Sequence, residues 1–245
     1  MRVHRSSLAG KIVPPLLGLI LLVACHQSAT RVPEVIEPLP DSLDPDTYSE
    51  MDQPVRVVFD YDTSQWVEIP DQPPYFLDLR YAGDHNFVHR TIYPCGRCLL
   101  KKAAGEALLS LKDSLNARGL GMVLWDCYRP IQAQQVLWEA FPNASYVTPP
   151  SRGSMHSRGL AVDLGLTDAA GNLLDLGSDF DHFGPEAHRD FSGLTQGVRE
   201  RRHLLDRWMT AAGFGGIRTE WWHYSYRQAF APVDSFQWGC ISANE

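Results

Sequence analysis

Residues 151–166 read SRGSMHSRGLAVDLGL, and this stretch decides which fold the chain can adopt. The apolar run 160–166 has the composition of a short buried strand, yet it contains Asp163 at its centre. An ionised carboxylate is costly to bury unless it is paired or bound to a metal ion. Asp163 follows His156 by seven positions, an odd spacing that would put the two side chains on opposite faces of an uninterrupted strand. We therefore predict a turn over 157–159 that returns His156 over the strand.

A second stretch with metal-binding residue types, EWWHYSY, occupies residues 220–226. Taken alone, this stretch does not decide between two interpretations. Glu220 and His223 could be a functional pair, but a surface glutamate beside an aromatic strand is as common. Together with His156 and Asp163, however, His223 completes two imidazoles and one carboxylate, a ligand set used by catalytic zinc. Glu220 then remains free to act as the general base toward a water in the fourth position. We expect one Zn²⁺ per chain.

The rest of the chain predicts helices and strands in irregular order. Apolar residues recur at every third or fourth position in three segments, which predicts helices over 99–118, 131–141 and about 198–212. Clusters of β-branched and aromatic residues predict strands over 54–62, 66–71 and 122–126. No regular βαβ repeat is visible, and strands are expected to dominate the end of the chain after the helices. These patterns favour the α+β class.

The two motifs, taken together, carry a resemblance to a known family. S-x-H-x-x-G-x-A-x-D over 154–163 and E-x-W-H over 220–223 resemble the zinc D-Ala-D-Ala peptidases. Within these, the chain is most similar to the D-alanyl-D-alanine dipeptidases of the vancomycin-resistance type, from LRYAGDHNF near Leu79 through DCYRP at 126–130 to EWWHY. The resemblance implies a single compact domain in which helices surround a small antiparallel sheet that carries the zinc site.

The resemblance also implies roles for residues that composition alone would not single out. Arg129 matches the arginine that polarises the scissile carbonyl and stabilises the oxyanion, and Asp181 matches the carboxylate that holds the free ammonium of the dipeptide. Tyr81 and Ser154 match residues that line the same small pocket.

Other histidines of the chain have no such counterpart. His182 and His188 fill no ligand position of the family, so they are expected near the site or at the surface.

The activity implied by the resemblance is zinc-dependent hydrolysis of D-alanyl-D-alanine to two D-alanine, with Glu220 as the general base. A D,D-carboxypeptidase or endopeptidase that acts on peptidoglycan stem peptides is the alternative, because it would share the zinc motif. A non-catalytic wall-binding protein on the same fold is a third reading, which the presence of Glu220 and Arg129 disfavours. No obligate protein partner is evident from the sequence.

The N-terminal residues predict where the protein works. Basic residues precede an apolar run that ends in LVAC at 22–25, which predicts a signal peptide over 1–24 and resembles the lipobox of bacterial lipoproteins. Cys25 would then carry the lipid anchor, and the proline-rich acidic segment 25–50 would be an extended tether before the catalytic domain 51–245. By the family rule, His26 directs the protein to the outer membrane, facing the periplasm. An ordinary signal peptide with an incidental cysteine is the alternative.

The net charge and the remaining cysteines indicate which partners and which cellular compartment suit the protein. The full chain has a formal net charge of −7, even though the predicted leader is basic. This negative charge disfavours nucleic acid and anionic membrane surfaces as partners. Four cysteines follow Cys25, at positions 95, 98, 127 and 240, and an oxidising compartment predicts two disulfides among them with three possible pairings. The C-G-R-C spacing also leaves open half of a zinc knuckle or a redox pair.

Overall fold

The computed structural model describes residues 59–240. The predicted signal peptide 1–24, Cys25, the tether 25–50 and the first residues of the domain lie outside this range. Within it, strands and helices alternate irregularly as follows: β1 (Trp66–Ile69), β2 (Tyr75–Leu77), β3 (Cys98–Lys101), α1 (Lys102–Leu109), α2 (Lys112–Asn116), β4 (Leu120–Asp126), α3 (Ile131–Ala140), β5 (Ala161–Asp168), α4 (Gln196–Ala211), β6 (Phe214–Ile217) and β7 (Glu220–Tyr226). Among the helices of residues 59–240, none has the length and hydropathy to cross a membrane.

The central feature is a five-stranded sheet with the strand order β2-β4-β5-β7-β6. Only the edge pair β2 and β4 is parallel, and the other three pairs are antiparallel. β1 and β3 form a separate antiparallel pair. Residues 161–167 of β5 are all buried, which explains why this strand reads as a continuous apolar run rather than an alternating one. The predicted α+β class with a mainly antiparallel sheet is confirmed.

The prediction of one helix over 99–118 is wrong at its start and its middle. Leu99 and Leu100 lie in β3, fully buried and paired with β1, and the helix begins only at Lys102. A break near Ser110 then separates α1 from α2. In the sequence, the apolar residues of β3 continue the helical spacing of α1, so the two elements look like one helix. Pairing with β1 overrides this local helix propensity and makes the first residues a strand.

Two further sequence expectations need correction. Three strands precede the first α-helix, so helices do not come first. Of the strand predicted over 54–62, residues 54–58 lie outside the described range and 59–62 are irregular, with a bend at 60–61. The helices predicted near 131–141 and 198–212 and the strand predicted at 122–126 are confirmed within about two residues.

The four described cysteines form two disulfides, Cys95–Cys240 and Cys98–Cys127. The two cysteines of the C-G-R-C motif therefore bind different partners, and the motif is neither a zinc knuckle nor a redox pair. Between them, Arg97 donates bidentate hydrogen bonds to Asp60 and to Glu68 and a further one to the carbonyl of Gly239. This hub joins both ends of the described chain to β3.

Candidate metal centre and active site

The register of the sheet alone brings three acidic or imidazole side chains into one row. Asp126 of β4 pairs with Asp163 of β5, and Asp163 pairs with His223 of β7. Directly opposed residues of antiparallel strands project to the same face of a sheet. The buried carboxylate of Asp163 therefore lies beside the His223 imidazole, with Oδ1 3.0 Å from Nδ1.

His156 reaches the same place through a tight turn. Residues His156–Arg158 form one 3-10 turn, which ends at Gly159 with φ of 66°. Glycine adopts this left-handed conformation without steric cost. A Cβ at Gly159 would also lie 2.6 Å from the Trp66 ring. The predicted turn is thus confirmed, and it places His156 Nε2 3.3 Å from Asp163 Oδ2.

The three predicted ligands converge at metal-binding distances. His156 Nε2 lies 3.1 Å from His223 Nδ1, and one ligand atom from each of the three residues falls within 4.8 Å of the others. A tetrahedral zinc with bonds of about 2.0–2.1 Å holds its ligand atoms roughly 3.3 Å apart. The donor set and its spacing therefore fit this ion.

The hydrogen bonds behind the two imidazoles direct lone pairs toward the same point. His156 Nδ1 lies 2.8 Å from the Cys127 carbonyl, and His223 Nε2 lies 2.9 Å from Ser225 Oγ. When these nitrogens donate, His156 Nε2 and His223 Nδ1 face each other as lone pairs beside the Asp163 carboxylate. Supporting contacts of this kind fix the tautomer and orientation of metal-ligating histidines. Although burial opposes it, the neighbouring His156 keeps the pKa of Asp163 well below its usual range.

Glu220 shares the cavity with His223 despite their odd separation along β7. In the pairing with β6, the register jumps from Tyr224 opposite Gly216 to Glu220 opposite Ile217, so Trp221–His223 form a bulge. The bulge breaks the strict alternation of side chains, and both Glu220 and His223 line one pocket. Burial, reinforced by the nearby carboxylates of Asp163 and Asp181, raises the pKa of Glu220 well above its usual value.

Arg129 is held rigidly at the cavity wall. Its Nε and Nη2 donate to the carboxylate of Asp126, at 2.8 and 2.5 Å, and its Nη1 donates to Gln134 Oε1 at 2.9 Å. Asp126 is fully buried and also accepts from Tyr93 Oη at 2.6 Å. Although burial disfavours its charge, the Asp126 carboxylate keeps the pKa of Arg129 above its usual value. Its Nη2 lies 3.8 Å from Asp163 Oδ2, so a fixed positive charge borders the ligand cluster.

Asp181 and Tyr81 form the polar end of the cavity. Tyr81 Oη donates to Asp181 Oδ2 at 2.9 Å. Burial, with the field of Asp163, raises the pKa of Asp181 to about 8, although the Tyr81 hydrogen bond opposes this shift. Asp181 also has a positive φ of 57°, which aspartate tolerates better than most residues and which is frequent at functional sites. A carboxylate in such surroundings gains from a cationic ligand.

The structure brings together the predicted metal, catalytic and substrate-binding residues, with one qualification for Ser154. Its side chain lines the cavity, but its hydroxyl accepts from the Ser157 amide at 3.0 Å and lies 3.1 Å from the Ser157 hydroxyl. Ser154 thus braces the turn that carries His156. His182 is exposed and pairs with Glu186 at 2.9 Å, away from the ligand cluster.

Sequence reasoning missed the residues that support and close the site. Asp126 could have been found, because it ends a buried strand three positions before Arg129. The aromatic wall had no sequence signal, because Phe87, Tyr146 and Phe183 come from separate loops that only the fold brings together. The enclosed volume is about 210 Å³, below the range of roughly 300–1,000 Å³ that is typical of sites for drug-sized ligands.

Comparison with known proteins agrees with the sequence resemblance. The sequence profile of the family described as D-ala-D-ala dipeptidase matches residues 72–238, a range that contains every predicted metal, catalytic and substrate-binding residue. The chain is 40% identical over 170 residues to the D-alanyl-D-alanine dipeptidase of Escherichia coli (strain K12), covering 69% of this chain and 88% of the relative. It is 31% identical over 180 residues to that of Enterococcus faecium, covering 65% and 89%.

Solved structures overlap more weakly. One described as VanYB in complex with D-Alanine-D-Alanine aligns with a TM-score of 0.35 and 19% identity, over 56% of this chain and 74% of that one. The assignment therefore rests on the sequence matches: the chain belongs to the D-Ala-D-Ala dipeptidase family of peptidases.

Proposed function

We propose that this protein hydrolyses the free dipeptide D-alanyl-D-alanine to two D-alanine, with one Zn²⁺ held by His156, Asp163 and His223. One observation carries the proposal. A single cavity of about 210 Å³ is lined by these ligands, by the general-base candidate Glu220 and by the buried acid Asp181. The names of the curated relatives support the same substrate. When bound, Zn²⁺ would supply Lewis acidity to the scissile carbonyl and lower the pKa of the attacking water.

Glu220 moves the proton in this proposal. A general base works best when its pKa lies near the working pH. Burial raises the pKa of Glu220, and the positive charge of the ion would lower it again toward neutrality. The carboxylate accepts the proton of the attacking water and returns it to the leaving amine. Its burial beside the aromatic strand keeps competing solvent away from this exchange.

Arg129 stabilises the charge that develops on the carbonyl oxygen. Two of its nitrogens are anchored on Asp126 and one on Gln134, so the guanidinium needs no reorganisation during the reaction. A preorganised donor of this kind typically contributes about 2.7–4 kcal/mol to an acyl-transfer transition state. The remaining donor capacity of Nη1 and Nη2 is available to the substrate.

Asp181 selects a substrate with a free amino terminus. A dipeptide ammonium placed between Asp181 and Tyr81 would pair with the buried carboxylate, whereas an N-acylated peptide would leave it unpaired. The aromatic wall adds a size limit, because Phe183 lines the cavity and is held by stacking on Phe141, with ring centroids 4.8 Å apart. These features favour the dipeptide over a longer stem peptide.

The metal dependence can be tested on the purified protein. Chelation should abolish release of D-alanine from D-alanyl-D-alanine, and one equivalent of Zn²⁺ per chain should restore it. Metal analysis of the active protein should find the same stoichiometry. Full activity in protein shown to be metal-free would contradict the proposal, and so would a reconstituted protein that leaves the dipeptide intact.

The location is a second part of the proposal. LVAC at 22–25 supports lipid attachment at Cys25 on the periplasmic face of the outer membrane, and the two disulfides suit an oxidising compartment. Cells that express the protein should incorporate labelled fatty acid into the wild-type chain and not into Cys25→Ala. Equal labelling of both chains, or absence of label from the wild type, would refute the anchor.

A further inference from the structure

The bulge of β7 is the local device that allows Glu220 and His223 to share one cavity. A regular strand would send residues three positions apart to opposite faces. The bulge Trp221–His223, which leaves the register with β6, removes that conflict. Something must hold the bulge in one conformation, because the ladder hydrogen bonds that normally fix a strand are interrupted there.

Arg189 holds the bulge through hydrogen bonds to its main chain. Its Nη2 donates to the carbonyls of Trp221 and His223, at 3.0 and 3.1 Å, so one nitrogen joins both ends of the bulge. Its Nη1 donates to Asp206 of α4 at 2.6 Å. The main chain is also fixed, because the Arg189 amide donates to the carbonyl of Arg218 at 2.9 Å. The bulge is thereby tied through Arg189 to α4.

Two neighbours shape the space for this guanidinium. Its Cζ lies 4.4 Å from the centroid of the Tyr224 ring, a cation–π contact on the face of β7 away from the metal ligands. A Cβ at Gly216 would lie 2.1 Å from the same Cζ. Since Gly216 has no left-handed φ, its missing side chain serves the close approach of Arg189 rather than a turn.

We propose that Arg189 is a positioning residue that holds the 221–223 bulge and thereby sets the placement of Glu220 relative to His223. This inference rests on the proposed function. It assigns Arg189 no contact with substrate. A misplacement of about 1 Å in a catalytic group can lower the rate on the order of 10²-fold, so loss of the guanidinium should affect turnover more than binding.

The cavity beside Arg189 provides a chemical test. It has a volume of about 540 Å³ and is lined by Arg189, Gly216 and Tyr224 together with residues of α4. The Arg189→Ala protein should therefore admit free guanidinium at the vacated position. We expect kcat on D-alanyl-D-alanine to fall on the order of 10²-fold with KM changed less than threefold, and millimolar methylguanidinium to restore at least a tenth of the lost rate.

Two companion variants separate positioning from general destabilisation. Gly216→Ala keeps the arginine but displaces its guanidinium, so it should lower kcat without rescue by methylguanidinium. Arg207→Ala, an exposed arginine on the same helix as Asp206, should behave as wild type. The absorption spectrum of the Co²⁺-substituted protein gives a readout without turnover: it should change in Arg189→Ala and return on addition of methylguanidinium, while thermal unfolding stays cooperative.

The outcomes distinguish this inference from the proposed function. If the wild-type protein leaves the dipeptide intact, the function fails, and the Co²⁺ spectra still test the bulge. If the wild type is active and Arg189→Ala retains kcat within twofold, or shows an unaltered Co²⁺ spectrum, Arg189 does not position the site. A loss that methylguanidinium leaves unchanged in both rate and spectrum would also overturn the proposal.

Discussion

At the scale of single residues, the site is a group of buried charged side chains that shift one another's pKa values. Asp163 is buried between two imidazoles. Burial, together with the nearby carboxylate of Asp163, raises the pKa values of Glu220 and Asp181. Arg129 is the fixed cation beside them. The proposed Zn²⁺ and the ammonium group of the substrate would both reduce the repulsion among these carboxylates.

Glu220 should be separable from the metal ligands by mutation. Glu220→Gln keeps the shape of the side chain but removes its capacity to accept a proton. We expect kcat to fall about 10²- to 10⁴-fold while the protein retains one zinc per chain. Steady-state kinetics and metal analysis check this, with the exposed Glu200→Gln on α4 as a matched control that should be unaffected. A variant that loses its zinc would reassign Glu220 to metal binding.

Asp181 should determine the preference for a free amino terminus. Asp181→Asn removes the charge that would pair with the substrate ammonium but keeps an acceptor for Tyr81. We expect kcat/KM for D-alanyl-D-alanine to fall about 10- to 100-fold, and the discrimination against the N-acetylated dipeptide to shrink by a similar factor. Parallel assays of both substrates measure this, and unchanged discrimination would place the ammonium elsewhere.

At the scale of elements, the candidate metal site depends on two irregularities that interrupt regular strands. The turn before β5 returns His156 over Asp163, and the bulge in β7 returns Glu220 to the side of His223. The first could be predicted, because an odd spacing and a glycine at 159 stand in the sequence. The second could not, because nothing in EWWHY distinguishes a regular strand from a bulged one until β6 is paired beside it. The helix misassigned over 99–118 failed for the same reason, since pairing with β1 claims its first residues.

Gly159 offers a test of the first irregularity. Gly159→Ala imposes a left-handed alanine and a clash with the Trp66 ring, so the free energy of unfolding should fall by about 2–5 kcal/mol and zinc affinity should weaken. Gly119→Ala is the matched control, because Gly119 has a similar φ of 61° with no neighbour within 4 Å of the added Cβ. Gly119→Ala should lower the free energy of unfolding by only about 1–2 kcal/mol and leave the zinc affinity unchanged. Denaturant titration and zinc competition measure both, and equal losses would mean that the Trp66 contact is unimportant.

At the scale of the whole molecule, two disulfides and the Arg97 hub connect the ends of the described chain to the region of the active site. Cys98–Cys127 lies directly behind the candidate metal site, since the Cys127 carbonyl accepts from His156. Cys95–Cys240 joins residues 145 positions apart at the periphery. The sequence predicted that two bridges form but not which cysteines pair, because pairing depends on the three-dimensional approach of β3 to the end of β4. The aromatic wall of the cavity was hidden for the same reason.

The two disulfides should differ in their effect on function. Removing either bridge should lower the free energy of unfolding by about 2–5 kcal/mol. Only the Cys98→Ala, Cys127→Ala double variant should also weaken zinc binding, because it loosens the carbonyl that orients His156. The Cys95→Ala, Cys240→Ala double variant should keep the zinc affinity of the wild type. Denaturation and zinc competition on both proteins check this, and weakened zinc binding in both would argue for a general loss of structure.

We propose that this cavity hydrolyses a free D,D-dipeptide and excludes the longer stem peptide. The most direct measurement is release of D-alanine by the zinc-loaded protein from D-alanyl-D-alanine and, separately, from a pentapeptide stem that ends in the same two residues. We predict turnover of the dipeptide alone, abolished in Glu220→Gln. Comparable or faster release from the pentapeptide would instead identify the protein as a D,D-carboxypeptidase whose Asp181 does not bind the substrate ammonium.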